Sequence, residues 1–334
     1  MKPAPTPRAE EGMALLTVLL LLTLLMLLAV EFSFATKSEI KMAGNFQDST
    51  RAYYLALAGV DRAVDEIVMP ADFCFRDDAT GETHFGRNAG AARSLSDWVE
   101  EARENVIRRG IEVEDGYISY SIRDEDALLQ INRADEETLA RLLEQLGIQI
   151  GSERDEIIDA ILDWKDADDL RGLNGAEDDY YSGLEVPYST RGRGFKTPLE
   201  LSLVRGITPE LFYGDDEMGT PGLFDFITTW GTHRTPNRNT APYPVLVSVF
   251  GEGEAEQIIN SRTNPDSRPR SQADALSRYF TIVGEGQMKG SAIYRQVRAV
   301  VQTVGRRRGG STASSIRVVY WDDSNSGPQR RIAP

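Results

Sequence analysis

Cysteine occurs once in the 334 residues, at Cys74, and histidine twice, at His84 and His233. A single thiol excludes an internal disulfide framework. Flanked by Phe73 and Phe75, it reads as a small buried hydrophobe, not a reactive group. Two isolated histidines cannot furnish a zinc site or a histidine-based triad. Paired acids such as Asp163 and Asp166 are accompanied by no nucleophile motif, no nearby histidine and no glycine-rich phosphate loop, so the chain is not expected to be an enzyme. Positive charge is scarce as well. The 37 bases face 52 acids for a net charge of −15, which repels nucleic acid in bulk and suits divalent cations or basic partners. Apolar residues, at 41%, suffice for packed cores and exclude global disorder.

Residues 1–12 are polar and proline-rich, with Lys2, Arg8, Glu10 and Glu11. From 13 to 30 every residue except Thr17 and Thr23 is apolar, and 32–35 extend the run beyond Glu31. That is the length of one membrane-spanning helix; a secretory signal peptide would have a shorter apolar core and a small-x-small cleavage site. Glu31, near the far boundary, can snorkel to the interface. The chain continues without proline to residue 69, with Tyr53, Leu57, Val60, Val64 and Ile67 at three- and four-residue spacing. This stripe predicts a packing face, for assembly and for the core. Pro70 ends the helix, giving roughly 55 residues, half in lipid (13–36) and half wet (37–70).

Beyond it, 72–93 reads as a loop rich in Gly, Asp and Arg. Ser94 caps a helix over 95–109 that stops at Gly110. Alternation predicts a strand over 117–123. Helices follow at 135–146 and 153–164, then an acidic, glycine-bearing loop to 181, a helix–turn–helix at 198–204 and 209–213 around Gly206, and a short apolar segment at 223–230. A helix near 255–261 leads into strands at 279–284, 293–304 and 316–321. Residues 306–315 read as a flexible turn, and the tail (323–334) as disordered. With strands flanking a helical middle, the expected fold is α+β. A long N-terminal helix carries a small antiparallel sheet domain (71–133 and 241–322), into which an all-helical domain (134–240) is inserted.

Two constellations remain. Between Asp159 and Tyr181 stand eight acids against Lys165 and Arg171. Asp163, Asp166, Asp168 and Asp169 form D-x-x-D-x-D-D, and Glu177, Asp178 and Asp179 follow a glycine turn. Hard cations take six to eight oxygens, and carboxylates close together on a loop can converge on one ion; a plain solvated acidic loop is the alternative. The order is not that of an EF-hand. Second, 198–212 has the look of a helix–hairpin–helix, the device by which some proteins bring backbone amides to DNA. A membrane-anchored DNA-uptake receptor is the rival function on this ground. Phosphate contact needs Lys or Arg, however, and the adjoining loop is acidic, so no nucleic-acid partner is expected.

The segment GMALL at 12–16 directly abuts the apolar run, as in a prepilin-type leader cut between Gly12 and Met13. From there the sequence resembles the type II secretion pseudopilins, and among them the K subunit. The resemblance runs through RAYYLALAGV at 51–60, AILDWKDADD at 160–169, LNGAEDDYY at 173–181, Gly194 and Phe195, PLEL at 198–201, VRG at 204–206 and NRNTA at 237–241. Most pilins carry Glu as the fifth mature residue, where this chain has Thr17; a carboxylate in lipid is costly unless paired. Loss of that Glu is a trait of the K family, placed at the tip of the pseudopilus where no further subunit lies above. The resemblance implies a minor pseudopilin cut by prepilin peptidase on the cytoplasmic side and methylated at Met13. It would be held in the inner membrane by a single pass with its C-terminal domain in the periplasm, and assembled with minor pseudopilins I and J and other pseudopilins. It also implies structural calcium (Ca2+) in the helical domain, carried over to the acids named above.

Overall fold

The computed structural model describes residues 9–86, 94–190, 192–215, 219–264, 277–304 and 315–324; of 9–12 only the backbone is described. The sequence expectations for 1–8, 306–314 and 325–334 fall outside these residues. Helix α1 (Ala9–Val68) is continuous over 60 residues, about 90 Å at 1.5 Å per residue. It ends just before Pro70, as expected of a residue that cannot donate to the helical ladder. From Met13 it is long and apolar enough to cross a membrane, and residues 13–47 are exposed apart from Thr36.

Next come strands β1 (Phe73–Arg76) and β2 (Thr83–Gly86), paired antiparallel where a loop was expected. The hairpin lays Phe73 and Phe75 against Leu95, Trp98 and Ala102 of α2 (Leu95–Asn105). Ser94 caps α2 as its sequence predicts: its hydroxyl accepts from the Asp97 amide while Asp97 accepts from the Ser94 amide. The helix stops at Asn105, four residues early, because Arg108 is drawn inward. Its guanidinium, 3% exposed, donates to Glu66 at 2.5 Å and to Glu82 at 3.1 Å. A buried guanidinium requires such partners, and here extended backbone from Val106 onward delivers it to them.

Strands β3 (Ile111–Val113) and β4 (Gly116–Asp124) start the main sheet. After β5 (Leu129–Gln130) the chain enters its helical part. There lie α3 (Glu136–Gln145), α4 (Ser152–Lys165), α5 (Asp178–Ser182), a 3-10 turn (Pro198–Leu203) and α6 (Pro209–Tyr213). The small pair β6 (Gly214–Asp215) with β7 (Thr220–Pro221) and strand β8 (Ile227–Thr228) close it, β8 running parallel to β5. Then follow α7 (Tyr243–Phe250), which the sequence reading missed, and α8 (Glu252–Thr263), longer than expected at both ends. Val245 of α7 joins the same apolar core as α3 and α4, so helical packing runs past residue 240, the expected boundary. Strands β9 (Tyr279–Met288), β10 (Tyr294–Val304) and β11 (Ser315–Asp322) complete a five-stranded antiparallel sheet in the order β11-β10-β9-β4-β3.

One face of this sheet carries α1. The contact is closest at glycine: a Cβ on Gly286 would collide with the Ala52 carbonyl, and one on Gly284 with that of Ala56. Ala52, Ala56 and Ala63 are fully buried there, with Gly59 approaching the backbone of Ser119. The stripe expected as a packing face meets the core here. Val60 and Ile67 are buried against the chain's own sheet, while Tyr53, Leu57 and Val64 lie half-buried on its shoulders. The deepest positions are small residues that a search for large apolar side chains passes over.

Candidate functional site

Helix α4 supplies the site's floor. Ile157, Ile158, Ile161 and Trp164 are buried in the core shared with α3, and Asp163, between them in the helical turn, is only 5% exposed. The following loop folds back over it. Both Asp163 oxygens accept from the Gly172 amide at 3.1 Å, and a Cβ on Gly175 would strike Oδ2, so this turn requires glycine. One turn earlier, Asp159 Oδ2 accepts from the backbone and side-chain amides of Asn174 at 3.0 and 3.1 Å. Trp164 meets Tyr181 edge-on at 5.0 Å and stacks parallel on Phe195 at 6.0 Å, pinning the far side of the loop to the helical core.

Asp166 ends α4 and Glu177 opens α5. The fold brings one oxygen each of Asp163, Asp166 and Glu177 within 4.8 Å of one another. Asp166 Oδ1 and Glu177 Oε1 are buried and meet no donor. The nearest base in sequence, Lys165, turns away and donates to the Ala134 carbonyl. Burial, and then the charges of Asp163, Asp166, Asp169 and Asp168, push the Glu177 carboxyl up to about 7. Asp163 and Asp166 are raised as well, burial again leading. Carboxylates crowded in this way, two of them with an oxygen that no donor reaches, make a poor resting arrangement for anions. The same oxygens suit a hard divalent cation, which binds carboxylate and carbonyl oxygen.

The other expected ligands stand apart. Asp168 and Asp169 are exposed; Asp168 accepts from the Leu170 amide at 2.9 Å, and both act on the cluster through charge. Asp178 and Asp179 occupy the first turn of α5, where successive residues face away from Glu177. Asp178 accepts from the Thr190 amide and Asp179 from the Tyr180 amide, each at 2.8 Å. A run of acids written together in sequence is divided by the helix that starts within it.

The hairpin at 198–212, whose sequence suggests a DNA-binding device, faces inward. Gly206 lies against Ile157, and Arg205 is held by Glu156 at 2.6 Å and stacked on Tyr180 at 4.9 Å. At the other end of the molecule α1 passes through Gly12 and Met13 without a break. Thr17 returns its hydroxyl to the Met13 carbonyl at 2.8 Å, which satisfies the one polar side chain on that turn.

A second cluster was not read from sequence. Asp124, at the end of β4 and 1% exposed, accepts from Ser277 and Thr240 hydroxyls at 2.5 Å each and from Asn237 Nδ2 at 3.3 Å. Burial, then the charge of Asp126, pushes its carboxyl up to about 7. Cys74 lies in the same knot, its thiol pushed up to about 12 by burial. The NRNTA segment thus ties the exit from the helical part to the sheet. Its partners sit up to 153 residues apart, so only the repeated polar residues of 237–240 hinted at it.

The chain is thus a long apolar-to-amphipathic helix laid on a small antiparallel sheet, with a helical insertion built around an acidic loop. Residues 120–213 match the family model for protein K of the type II secretion system. Relatives named type II secretion system protein K are 29% identical over 62% of this chain in Aeromonas hydrophila and 26% identical over 83% in Pseudomonas aeruginosa. The chain spans 62% of the length of the former and 79% of the latter. A chain in the crystal structure of the GspK–GspI–GspJ complex from enterotoxigenic Escherichia coli shares the fold, with TM-score 0.53 and 16% identity over 86% of this chain and 98% of its own length. The resemblance to the K pseudopilins holds, and with the apolar N-terminal helix it is consistent with membrane anchoring.

Proposed function

We propose that this chain is a minor pseudopilin of a type II secretion system, acting by assembly and not by catalysis. The observation that carries the reading is the match to protein K over 120–213, which spans β4 through α6 and includes the acidic loop. In this reading α1 is cut between Gly12 and Met13 by prepilin peptidase, methylated at Met13, and held in the inner membrane. The sheet and the helical part then lie in the periplasm. The exposed length of α1 and the shoulder residues Tyr53, Leu57 and Val64 meet the helices of partner minor pseudopilins I and J, by analogy with the solved GspK–GspI–GspJ complex. The helical part makes the head far wider than α1, which suits a subunit at the tip of a fibre.

Calcium belongs to the same reading. Asp163, Asp166 and Glu177 would hold it, with Asp168 and Asp169 adding negative charge nearby. The ion would neutralise the cluster and tie the end of α4 to the start of α5. Mass spectrometry of the mature N-terminus, with co-purification of I and J proteins, tests the assignment. The expected result is a chain beginning at methylated Met13 that carries both partners. A chain still beginning at Met1 beside an active prepilin peptidase, with neither partner, refutes it.

A further inference from the structure

The VRG segment at 204–206 packs against the helix that ends in the acidic cluster. Val204 is buried in the helical core. Gly206 has a φ of +82°, and a Cβ there would press on Ile157 of α4, so glycine lets the hairpin close on that helix. Arg205, held between them, meets the helix that carries Asp163 and both flanks of Glu177. On α4 its Nε pairs with Glu156 at 2.6 Å, two turns before Asp163 and so on the same side of the helix. In the loop, its Nη1 donates to the Gly175 carbonyl at 3.3 Å. On α5, the guanidinium lies 4.9 Å from the centre of the Tyr180 ring, and the Arg205 amide donates to the Tyr181 hydroxyl at 3.2 Å.

These contacts bracket Glu177. Gly175 comes two residues before it, and the amides of Tyr180 and Tyr181 donate to its carbonyl at 2.9 and 3.4 Å. Gly175 also sets the approach to Asp163, since a Cβ there would strike Oδ2. Moving the Gly175 peptide therefore shifts Glu177 against Asp163 and alters the spacing, within 4.8 Å, that joins these carboxylates with Asp166. Among the described residues, none of the Arg205 contacts is with a ligand oxygen, so it holds this frame without competing with a cation. Glu156 meets its charge, which limits its repulsion of an ion nearby. A planar guanidinium can donate in its plane and stack on an aromatic face at once, which an ammonium cannot.

We propose that Arg205 is a positioning residue for a divalent cation at Asp163, Asp166 and Glu177, holding Glu177 at the spacing from Asp163 that one ion requires. The proposal rests on the reading of that cluster as a calcium site. Charge and geometry predict opposite signs for the loss of this side chain. Removing a positive charge beside carboxylates would, by Coulomb attraction alone, tighten a cation. Removing a brace that orients the ligands weakens metal affinity, by about tenfold or more.

The test is a calorimetric titration of the full chain in detergent with calcium, well below its melting temperature. Arg205→Gln should weaken calcium about tenfold. Arg205→Lys keeps the charge but not the planar fork, and should weaken it severalfold. Arg154→Gln removes an equal charge from α4, where Arg154 pairs with Glu144 at 2.7 Å, and should leave the affinity unchanged or slightly tighter. A purely structural role for Arg205 would lower the melting temperature alike with and without calcium and leave the Kd of the folded chain where it was. Unchanged or tighter calcium binding by either folded Arg205 variant therefore overturns the proposal and leaves the calcium reading standing. No saturable calcium binding by the unaltered chain overturns both.

Discussion

Where α1 lies on the sheet, backbone comes close to backbone: Ala52, Ala56 and Gly59 bring the helix down onto Gly284 and Gly286, with Leu55 and Val60 packed beside them. Where α4 ends, three carboxylates meet, and two of them keep a buried oxygen that no donor reaches. The first contact is dry and complete, so its strength is close to independent of salt, pH and ions. The second is unfinished by charge, and its stability is set by what the surroundings supply. One chain therefore joins a rigid stem to a head whose order can be tuned from outside.

The widest separation between the two regions comes from Val60→Asp. An unpaired carboxylate in the dry contact should cost about 3–5 kcal/mol, the scale of a broken buried ion pair. Thermal melting of the full chain in detergent should show the sheet and α1 unfolding far earlier; an unchanged transition would mean that α1 is not anchored where Ala52 through Ile67 place it. Removing divalent cations should strike only the head. At a calcium concentration a hundredfold above Kd, binding to the folded state alone contributes about 2.7 kcal/mol, so a chelator should lower the melting temperature by several degrees. Glu177→Gln together with Asp166→Asn should erase the difference. Identical melting with calcium and with chelator, in the unaltered chain, would return the cluster to a solvated loop.

Acidity gives a further contrast. The Glu177 carboxyl titrates at about 7 in the fold against 4.5 when free, so between these values the folded head holds a proton that the unfolded chain releases. The stability this group contributes is full below pH 4.5 and is lost as pH rises toward 7. Metal-free protein should melt progressively lower across that window, and calcium should flatten the slope by favouring the ionised form. A metal-free melting curve that does not move across the window would show Glu177 already ionised in the fold. The smallest expected effect is local: Ser94→Ala removes the cap of α2 and should cost about 1 kcal/mol. Hydrogen exchange at the first turn of α2 reads it directly, and protection equal to the parent's would show that Asp97 holds the turn unaided.

Much of this was legible in the sequence, for reasons that differ by region. A long apolar run and then a proline-free stretch to Pro70 leave few alternatives to α1, alternation marked β4, and strands were expected at β9, β10 and β11. On the buried face of α1 the large residues Val60 and Ile67 were legible, whereas Ala52 and Ala56 were passed over because close approach selects small residues. The hairpin of β1 and β2 hid in a stretch of Gly, Asp and Arg because its strands are four residues long and β1 takes its apolar content from Phe73, Cys74 and Phe75 alone. In α7, Val245, Val247 and Val249 suit a strand as readily as a helix. Crowding of acids in sequence announced the cluster, but which of them converge depends on α5 starting at Asp178, and a five-residue helix leaves almost no periodic signal.

The knot at Asp124 sets how the two regions can move against each other. The chain leaves the sheet for the helical part just beyond Asp124 and comes back through Asn237 and Thr240, which clasp that same carboxylate. Departure and return thus share one post. A sideways load on the head therefore reaches the sheet in part at this post, at the end of β4, beside the ties that Thr228 makes to Glu125 and Trp230 to Tyr320. The hydrogen bonds of Ser277, Thr240 and Asn237 share it, since all three end on one carboxylate oxygen. Neither the post nor these ties involve Asp163, Asp166 or Glu177, so the mounting of the head on the stem is separate from the cation-sensitive loop.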